Sequence, residues 1–229
     1  TGSGNWTDIG GTYTLSTTAQ VDIVVANNNV YFFDGTNTPV KYNGTTGSTV
    51  AAIPVGSFAK WFHNMLFVAG ISTLPNRARI SALGDPEDFT GGITATLDIN
   101  PNDGDYITGL GILKDELFIF KTQRVWSITG FGTAALTLSN LNERLTGFGT
   151  LSHRSIVNTG NDLLYLGFLG DIPHIRSLRR TREATIVDGG IMSDDIESTM
   201  NGMSKSSLTT VAGIFDGRNI FLNPIIFLL

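Results

Sequence analysis

One stretch of this chain has the oxygen content to hold a hard cation. Asp98-Ile99-Asn100-Pro101-Asn102-Asp103-Gly104-Asp105 sets carboxylate and amide oxygens close together, and a calcium ion needs about six to eight such ligands. The register departs from that of a calcium-binding hand. Gly104 falls one residue late, and the twelfth position is Gly109 where the loop needs a glutamate. The segment reads as an Asx-rich connecting loop, with a cation site as the alternative. Asp85, Glu87 and Asp88 supply carboxylates in number for glycoside hydrolysis. That chemistry needs two carboxyls roughly 5–10 Å apart across a sugar, and nothing in the sequence aims a second carboxylate at this trio. Pro86 beside three acids instead suits the first turn of a short helix.

The three histidines, His63, His153 and His174, fall in no metal-ligand spacing, and no G-x-S-x-G elbow accompanies them. They read as solvated or turn residues. Arg176, Arg179, Arg180 and Arg182, with His174 nearby, form the one basic cluster. It suits a subunit contact or a solvated face, with phosphate contact as the alternative. No aromatics interleave it to stack bases. Gly104, Gly109 and Gly111 make no phosphate loop and read as turn residues. The chain has no cysteine, so disulfides, thiolate metal sites and thiol nucleophiles are excluded. No catalytic, cofactor-binding or metal-binding residue is assigned, no cofactor is expected, and the chain is not expected to be an enzyme.

The elements around these residues are strands. Only 15% of the 229 residues are charged, while glycine numbers 27; this suits turns and strands rather than solvated helices. The net charge of −5 argues against a dedicated nucleic-acid binder. The N-terminus lacks a basic segment followed by an apolar one, and Ile225–Leu229 is too short to span a membrane. Sequons at Asn5 and Asn43 are expected by chance in an Asn- and Thr-rich chain.

A phrase recurs about five times. A polar turn built on Asn, Asp or Gly leads into a short apolar run: Val30–Phe33, Met65–Val68, Leu117–Phe120, Leu163–Leu166 and Ile220–Leu222. The copies lie roughly 35 to 55 residues apart, the range of propeller blades. Between them, Val21 to Thr45 reads as three antiparallel strands closed by the hairpin dipeptide Asn43-Gly44. Lys60 to Ala69 reads as a strand pair or one bent strand. Asn76 to Ser81 alternates Arg77 and Arg79 outward with Ala78 and Ile80 inward. Tyr106–Leu113, Glu116–Lys121 and Arg124–Thr129 form a further meander, with Trp126 and Ile128 on one face. One segment is helical in pattern: Asp194 and Glu197 are spaced as a capping box, and Ile196, Met200 and Met203 share a face. The expected fold is all-β, an irregular β-propeller of about five blade-like antiparallel units with one short helical insertion, in a single domain over 1–229. The apolar C-terminus is expected either to pair with the N-terminal strand and close the ring, or to belong to a longer chain.

Tyr31-Phe32-Phe33-Asp34-Gly35-Thr36-Asn37-Thr38-Pro39-Val40-Lys41-Tyr42-Asn43-Gly44 resembles a blade phrase of tailed-phage virion proteins. Trp61 to Gly70 followed by Asn76-Arg77 through Gly84-Asp85-Pro86-Glu87-Asp88-Phe89 is similar to another. Asp105 to Lys121, ending in Val125-Trp126-Ser127-Ile128-Thr129-Gly130, resembles a third, and Met192-Ser193-Asp194-Asp195-Ile196 a fourth. The group includes the nozzle (tail tubular protein B) of short-tailed phages, whose members are much longer than this chain. The resemblance implies a structural virion protein of the tail. It would form a ring of copies of itself, typically hexameric, beside neighbouring tail proteins. It would make transient, non-specific contact with the genomic DNA leaving through the channel, and would carry no membrane anchor. The alternative is a propeller module that recognises a host-surface protein or glycan.

Overall fold

The strands of this protein assemble into consecutive sheets, antiparallel except for one parallel pair at the edge of the first, each built from neighbouring stretches of sequence. The computed structural model describes residues 9–91, 93–131, 136–137, 140–169, 172–179, 191–192, 202, 208–217 and 220–223. Sheet 1 contains β1 (Gly11–Thr12), β2 (Asp22–Ala26), β3 (Asn29–Phe33), β4 (Val40–Tyr42) and β5 (Gly47–Thr49). Sheet 2 contains β6 (Phe58–Phe62), β7 (Met65–Ala69), β8 (Arg77–Ile80) and β9 (Ala95–Asp98). Sheet 3 contains β10 (Ile107–Leu113), β11 (Glu116–Lys121), β12 (Arg124–Ile128) and β13 (Leu141–Thr146). Sheet 4 contains β14 (Val157–Asn158), β15 (Leu163–Leu169) and β16 (Ile172–Ser177), and sheet 5 contains β17 (Ala212–Phe215) and β18 (Ile220–Asn223). Within sheets 2 to 5 the spatial order follows the chain; in sheet 1 the order is β1-β5-β4-β3-β2.

Hairpin chemistry sets this order. Asn27 and Asn28 both have positive φ, as do His63 and Asn64. Two consecutive left-handed residues are the signature of the tight turn whose twist matches antiparallel strands. The recurrent phrase is a turn and the strand after it: its five copies are β3, β7, β11, β15 and β18, the second strands counted from β2, β6, β10, β14 and β17, and the doubly left-handed turn precedes β3 and β7. Lys60–Ala69 is a hairpin, with Trp61 opposite Leu66. Arg77 and Arg79 are half-buried, whereas Ala78 and Ile80 are fully covered, as their alternation predicts.

Each sheet packs on the next. Leu66 and Val68 of β7 meet Val24, Ala26, Tyr31 and Phe33 of sheet 1. Met65, Phe67 and Ala69 of the same strand meet Leu110, Leu117 and Ile119 of sheet 3. In β11, Phe118 and Phe120 turn the other way, onto Leu163 and Tyr165 of sheet 4. Leu166 then packs on Leu208 and Val211 ahead of sheet 5. β7 is therefore covered on both faces, and its unbroken apolar run follows from that. Each large side chain so covered contributes about 1.5–3 kcal/mol. Sheet 1 differs. Ile23 and Val25 on the other face of β2 are 57% and 64% exposed, so burial alternates along β2 and β3 although both are apolar runs.

Several expectations are corrected. Gly84–Phe89 forms turns rather than a helix; Asp88 accepts the N–H groups of Thr90 and Gly91 and so favours a local turn. Among the described residues the short N-terminal strand pairs with β5, Gly11 and Thr12 running parallel to Gly47 and Ser48 at the edge of sheet 1. Gly109 and Gly111 are strand residues, not turn residues. A Cβ on Gly109 would lie 2.6 Å from Ile156 Cδ1 and 3.1 Å from His153 Cα, so the missing side chain lets β10 press against the entry to sheet 4. Gly104, with φ +74°, is a turn residue as expected. The residues that carry the helical pattern (Asp194, Ile196, Glu197, Met200 and Met203), the segment 224–229 and the sequon at Asn5 lie outside the described residues.

Candidate binding site where the first strands meet

One edge strand of each sheet lies beside that of the next. β2 contacts β6, β6 contacts β10, β10 contacts β14, and β14 contacts β17. A cavity of about 360 Å³ opens where they converge, lined by Asp22, Lys60, Leu110, His153, Arg154, Ile156, Ala212 and Gly213. These residues come from β2, β6, β10, the segment entering β14, and β17.

His153 is the knot of this site. It sits on a 3-10 turn, His153–Ser155, just before β14. Its Nδ1 accepts the Leu110 N–H at 3.1 Å, which leaves the ring hydrogen on Nε2. Nε2–H then donates to Asp22 Oδ2 at 3.1 Å. One imidazole thus ties together sheets 1 and 3 and the entry to sheet 4. Asp22 Oδ2 also accepts the Ala59 N–H at 2.9 Å, and Oδ1 accepts that of Ile23 at 3.1 Å. Lys60 Nζ stands 3.7 Å from Asp22 Oδ2. Arg154 is exposed and donates from Nη2 to Val21 O at 2.8 Å.

The electrostatics follow from burial and partners. The His153 side chain is only 9% exposed, and burial pushes its pKa below the ordinary value. The hydrogen bond to Asp22 opposes that shift, while the charges of Lys60 and Arg154 reinforce it. Burial would raise the Asp22 carboxyl, but the His153 hydrogen bond, the Lys60 charge and the Ala59 N–H outweigh it and hold the carboxyl at about 2. Both shifts make stability fall on acidification. Unfolded His153 takes a proton near pH 6.5 and folded His153 does not. Its contribution is therefore complete above pH 6.5 and is lost as pH falls from there toward the depressed value. The Asp22 contribution, on the order of 2 kcal/mol, is lost between the ordinary carboxyl pKa and about 2. Melting temperature is expected to drop between pH 7 and 5, with a smaller drop in His153→Gln. An identical drop in both proteins would refute the assignment.

An aspartate on a histidine invites comparison with hydrolases. The geometry does not support a proton relay: one imidazole nitrogen is taken by Asp22 and the other by a backbone amide, so neither is left to activate a nucleophile.

Apart from His153, the described residues singled out by sequence are placed elsewhere. In the Asx-rich loop the oxygen cage surrounds the ammonium of Lys121. Nζ lies 2.8 Å from both Asp103 carboxylate oxygens, 3.2 Å from Ile99 O and 3.3 Å from Asn100 O. Asp105 accepts the N–H groups of Thr122 and Gln123 and fixes the β11–β12 turn. Glu87 Oε1 accepts from Tyr31 Oη and Lys41 Nζ, each at 2.8 Å. With Asn27 Nδ2 donating to Gly84 O at 2.6 Å, this clasps sheet 1 to the turn after β8.

The histidines and arginines need correcting. His63 is exposed and stacks on Phe131, but His153 and His174 are enclosed rather than solvated. Arg176 is fully buried, its guanidinium 4.2 Å above the Phe148 ring, so it does not belong to a solvated face or a contact surface. Arg179 is exposed, and its backbone N–H donates to Asp162. Arg180 and Arg182 lie outside the described residues. Sequence reasoning missed Asp22, Lys60 and Arg154, which sit in no motif; the one local signal was a single charged residue in each of two otherwise apolar strands, at the start of β2 and in the middle of β6.

No protein-family model matches the chain, and no curated protein matches it in sequence. Among solved structures it is similar to Hsv2 of Kluyveromyces lactis, with a TM-score of 0.49 and 13% identity over 91% of this chain and 65% of that one. A variant of that protein with loop 6CD replaced by a Gly-Ser linker gives 0.46 and 10%, over 92% and 63%. The chain spans less than two thirds of the length of either. A likeness at this level carries no functional argument.

Proposed function

We propose that the five sheets are blades of an irregular β-propeller, and that the chain is a non-enzymatic recognition module binding a host-surface glycan in its axial cavity. One observation supports this above the others: four sheets and the segment entering β14 contribute residues to a single cavity, in which Asp22, Lys60, His153 and Arg154 face Leu110, Ile156, Ala212 and Gly213. A concave site between packed elements with polar groups held in place suits a small ligand. The test is a glycan array probed with the wild-type protein and with Ala212→Phe, which fills the cavity from β17. Hits that the variant loses at least tenfold are expected. An array without hits, or hits indifferent to the variant, would overturn the reading.

A second reading has its own observation. The phrases that resemble tailed-phage virion proteins hold residues with architectural work. Asp34 of the Asp34-Gly35-Thr36-Asn37 phrase accepts the Thr36 and Asn37 N–H groups at 2.8 and 2.7 Å. Glu87 clasps two sheets, and Lys121 fills the Asx loop. A resemblance carried by such residues favours a shared scaffold and, with it, a tail-ring component in the virion that packs with its own copies and neighbouring tail proteins around exiting DNA. Native mass measurement at tens of micromolar separates the two readings: a closed ring of about six copies supports the scaffold, whereas a monomer that binds glycans supports the module.

A further inference from the structure

Resting on the axial glycan reading, we propose that the cavity selects an anionic sugar, whose carboxylate or sulfate is held between Lys60 and Arg154. Among the described residues, three charged side chains line the cavity: Asp22, Lys60 and Arg154. The Asp22 carboxylate is already committed to His153 Nε2–H and to the N–H groups of Ala59 and Ile23. Lys60 Nζ lies 3.2 Å from His153 Nε2, but that nitrogen carries the hydrogen given to Asp22 and cannot accept from the ammonium. The remaining Lys60 partner is Asp22 at 3.7 Å, beyond good hydrogen-bond length. Arg154 spends one Nη2 contact on Val21 O, which leaves the other edge of its fork for a ligand.

The walls therefore carry two cations against one committed carboxylate. A neutral sugar would leave that excess unanswered; a carboxylate or sulfate accepts from both cations through charge-assisted bonds. Leu110, Ile156, Ala212 and Gly213 supply the uncharged wall. The roughly 360 Å³ of space suits one sugar unit rather than a long chain.

The probes are oligosaccharides ending in glucuronate, in N-acetylneuraminate or in a sulfated hexose, each beside its neutral counterpart, at low and high sodium chloride. The acidic probes are expected to bind at least tenfold tighter than the neutral ones and to weaken as salt rises. Arg154→Gln and Lys60→Met are each expected to weaken them at least tenfold, and Lys60→Arg to retain binding. The melting temperature of each variant separates lost recognition from lost folding, and Arg154→Gln, at an exposed position, keeps the test valid if Lys60→Met unfolds. Carboxylated and sulfated probes report which anion is taken. Neutral and acidic probes that bind alike, or acidic binding untouched by Arg154→Gln, would overturn the anion assignment while the glycan reading stood. An array without hits would remove both.

Discussion

Lys121→Ala is expected to lower the free energy of unfolding by about 3–5 kcal/mol. The Lys121 side chain is fully buried and that of Asp103 is 7% exposed, with the charges 2.8 Å apart. Removing the ammonium strands a carboxylate that solvent barely reaches, together with the carbonyls of Ile99 and Asn100 that faced the same cation. Arg124 Nη1 stands 3.5 Å from Asp103 and screens the loss only in part. Burial tends to raise the Asp103 carboxyl, but the Lys121 hydrogen bonds outweigh it and hold the group below the ordinary value. The same loss is therefore expected when pH falls through that depressed value. Asp103→Asn is expected to cost nearly as much as Lys121→Ala, because it leaves the ammonium unpaired. The double change Lys121→Met with Asp103→Asn is expected to recover much of the deficit, since no buried charge remains. Urea unfolding of the three variants measures this. Single variants within about 1 kcal/mol of wild type would remove the pair from any structural role.

Gly149→Ala is the second large effect. A Cβ at this position would lie 2.1 Å from Lys121 O and 2.3 Å from Thr122 C. Those atoms belong to the backbone at the end of β11, where Thr150 N–H donates to Lys121 O at 3.0 Å. No rotamer change can relieve such a contact, so the link into sheet 4 must lift away from β11. The expected loss is about 3 kcal/mol, the upper end of ordinary overpacking. Gly160→Ala is the control. Its φ is +88° and nothing lies within 4 Å of the added carbon; strain in the left-handed region alone costs about 1–2 kcal/mol. Equal losses in the two variants would show that the close approach at Gly149 is not what matters.

The sequence was most legible where the cause of structure is local. The positive-φ turns at Asn27-Asn28 and His63-Asn64 are written in residues that tolerate that conformation, and the apolar runs after them became second strands. The alternation at Arg77–Ile80 revealed a strand covered on one side. Gly109 misled because glycine serves turns and close approaches equally well, and only its neighbour Ile156 tells them apart. Arg176 misled because a run of arginines reads as surface until strand pairing sets one beside Tyr165 and above Phe148.

The candidate site was the least legible part. Asp22 and His153 are separated by 131 residues, and neither stands in a recognisable phrase. They meet because sheets packed in sequence bring one edge strand of each together, a property of the whole arrangement and not of any segment. The Asx-rich loop gives the same lesson. Its oxygens signalled a cation, and a cation is there, but it is the Lys121 ammonium delivered by the neighbouring strand.

By itself, then, the sequence determined the all-β character and the turn-then-strand unit, because turn dihedrals and the covering of a strand's faces are settled within a few residues. The tertiary structure alone decided which charges are spent and which remain for a ligand. Pairing among Asp22, Lys60, His153 and Arg154 depends on distances of a few ångströms between sheets that the chain joins only through long intervening stretches.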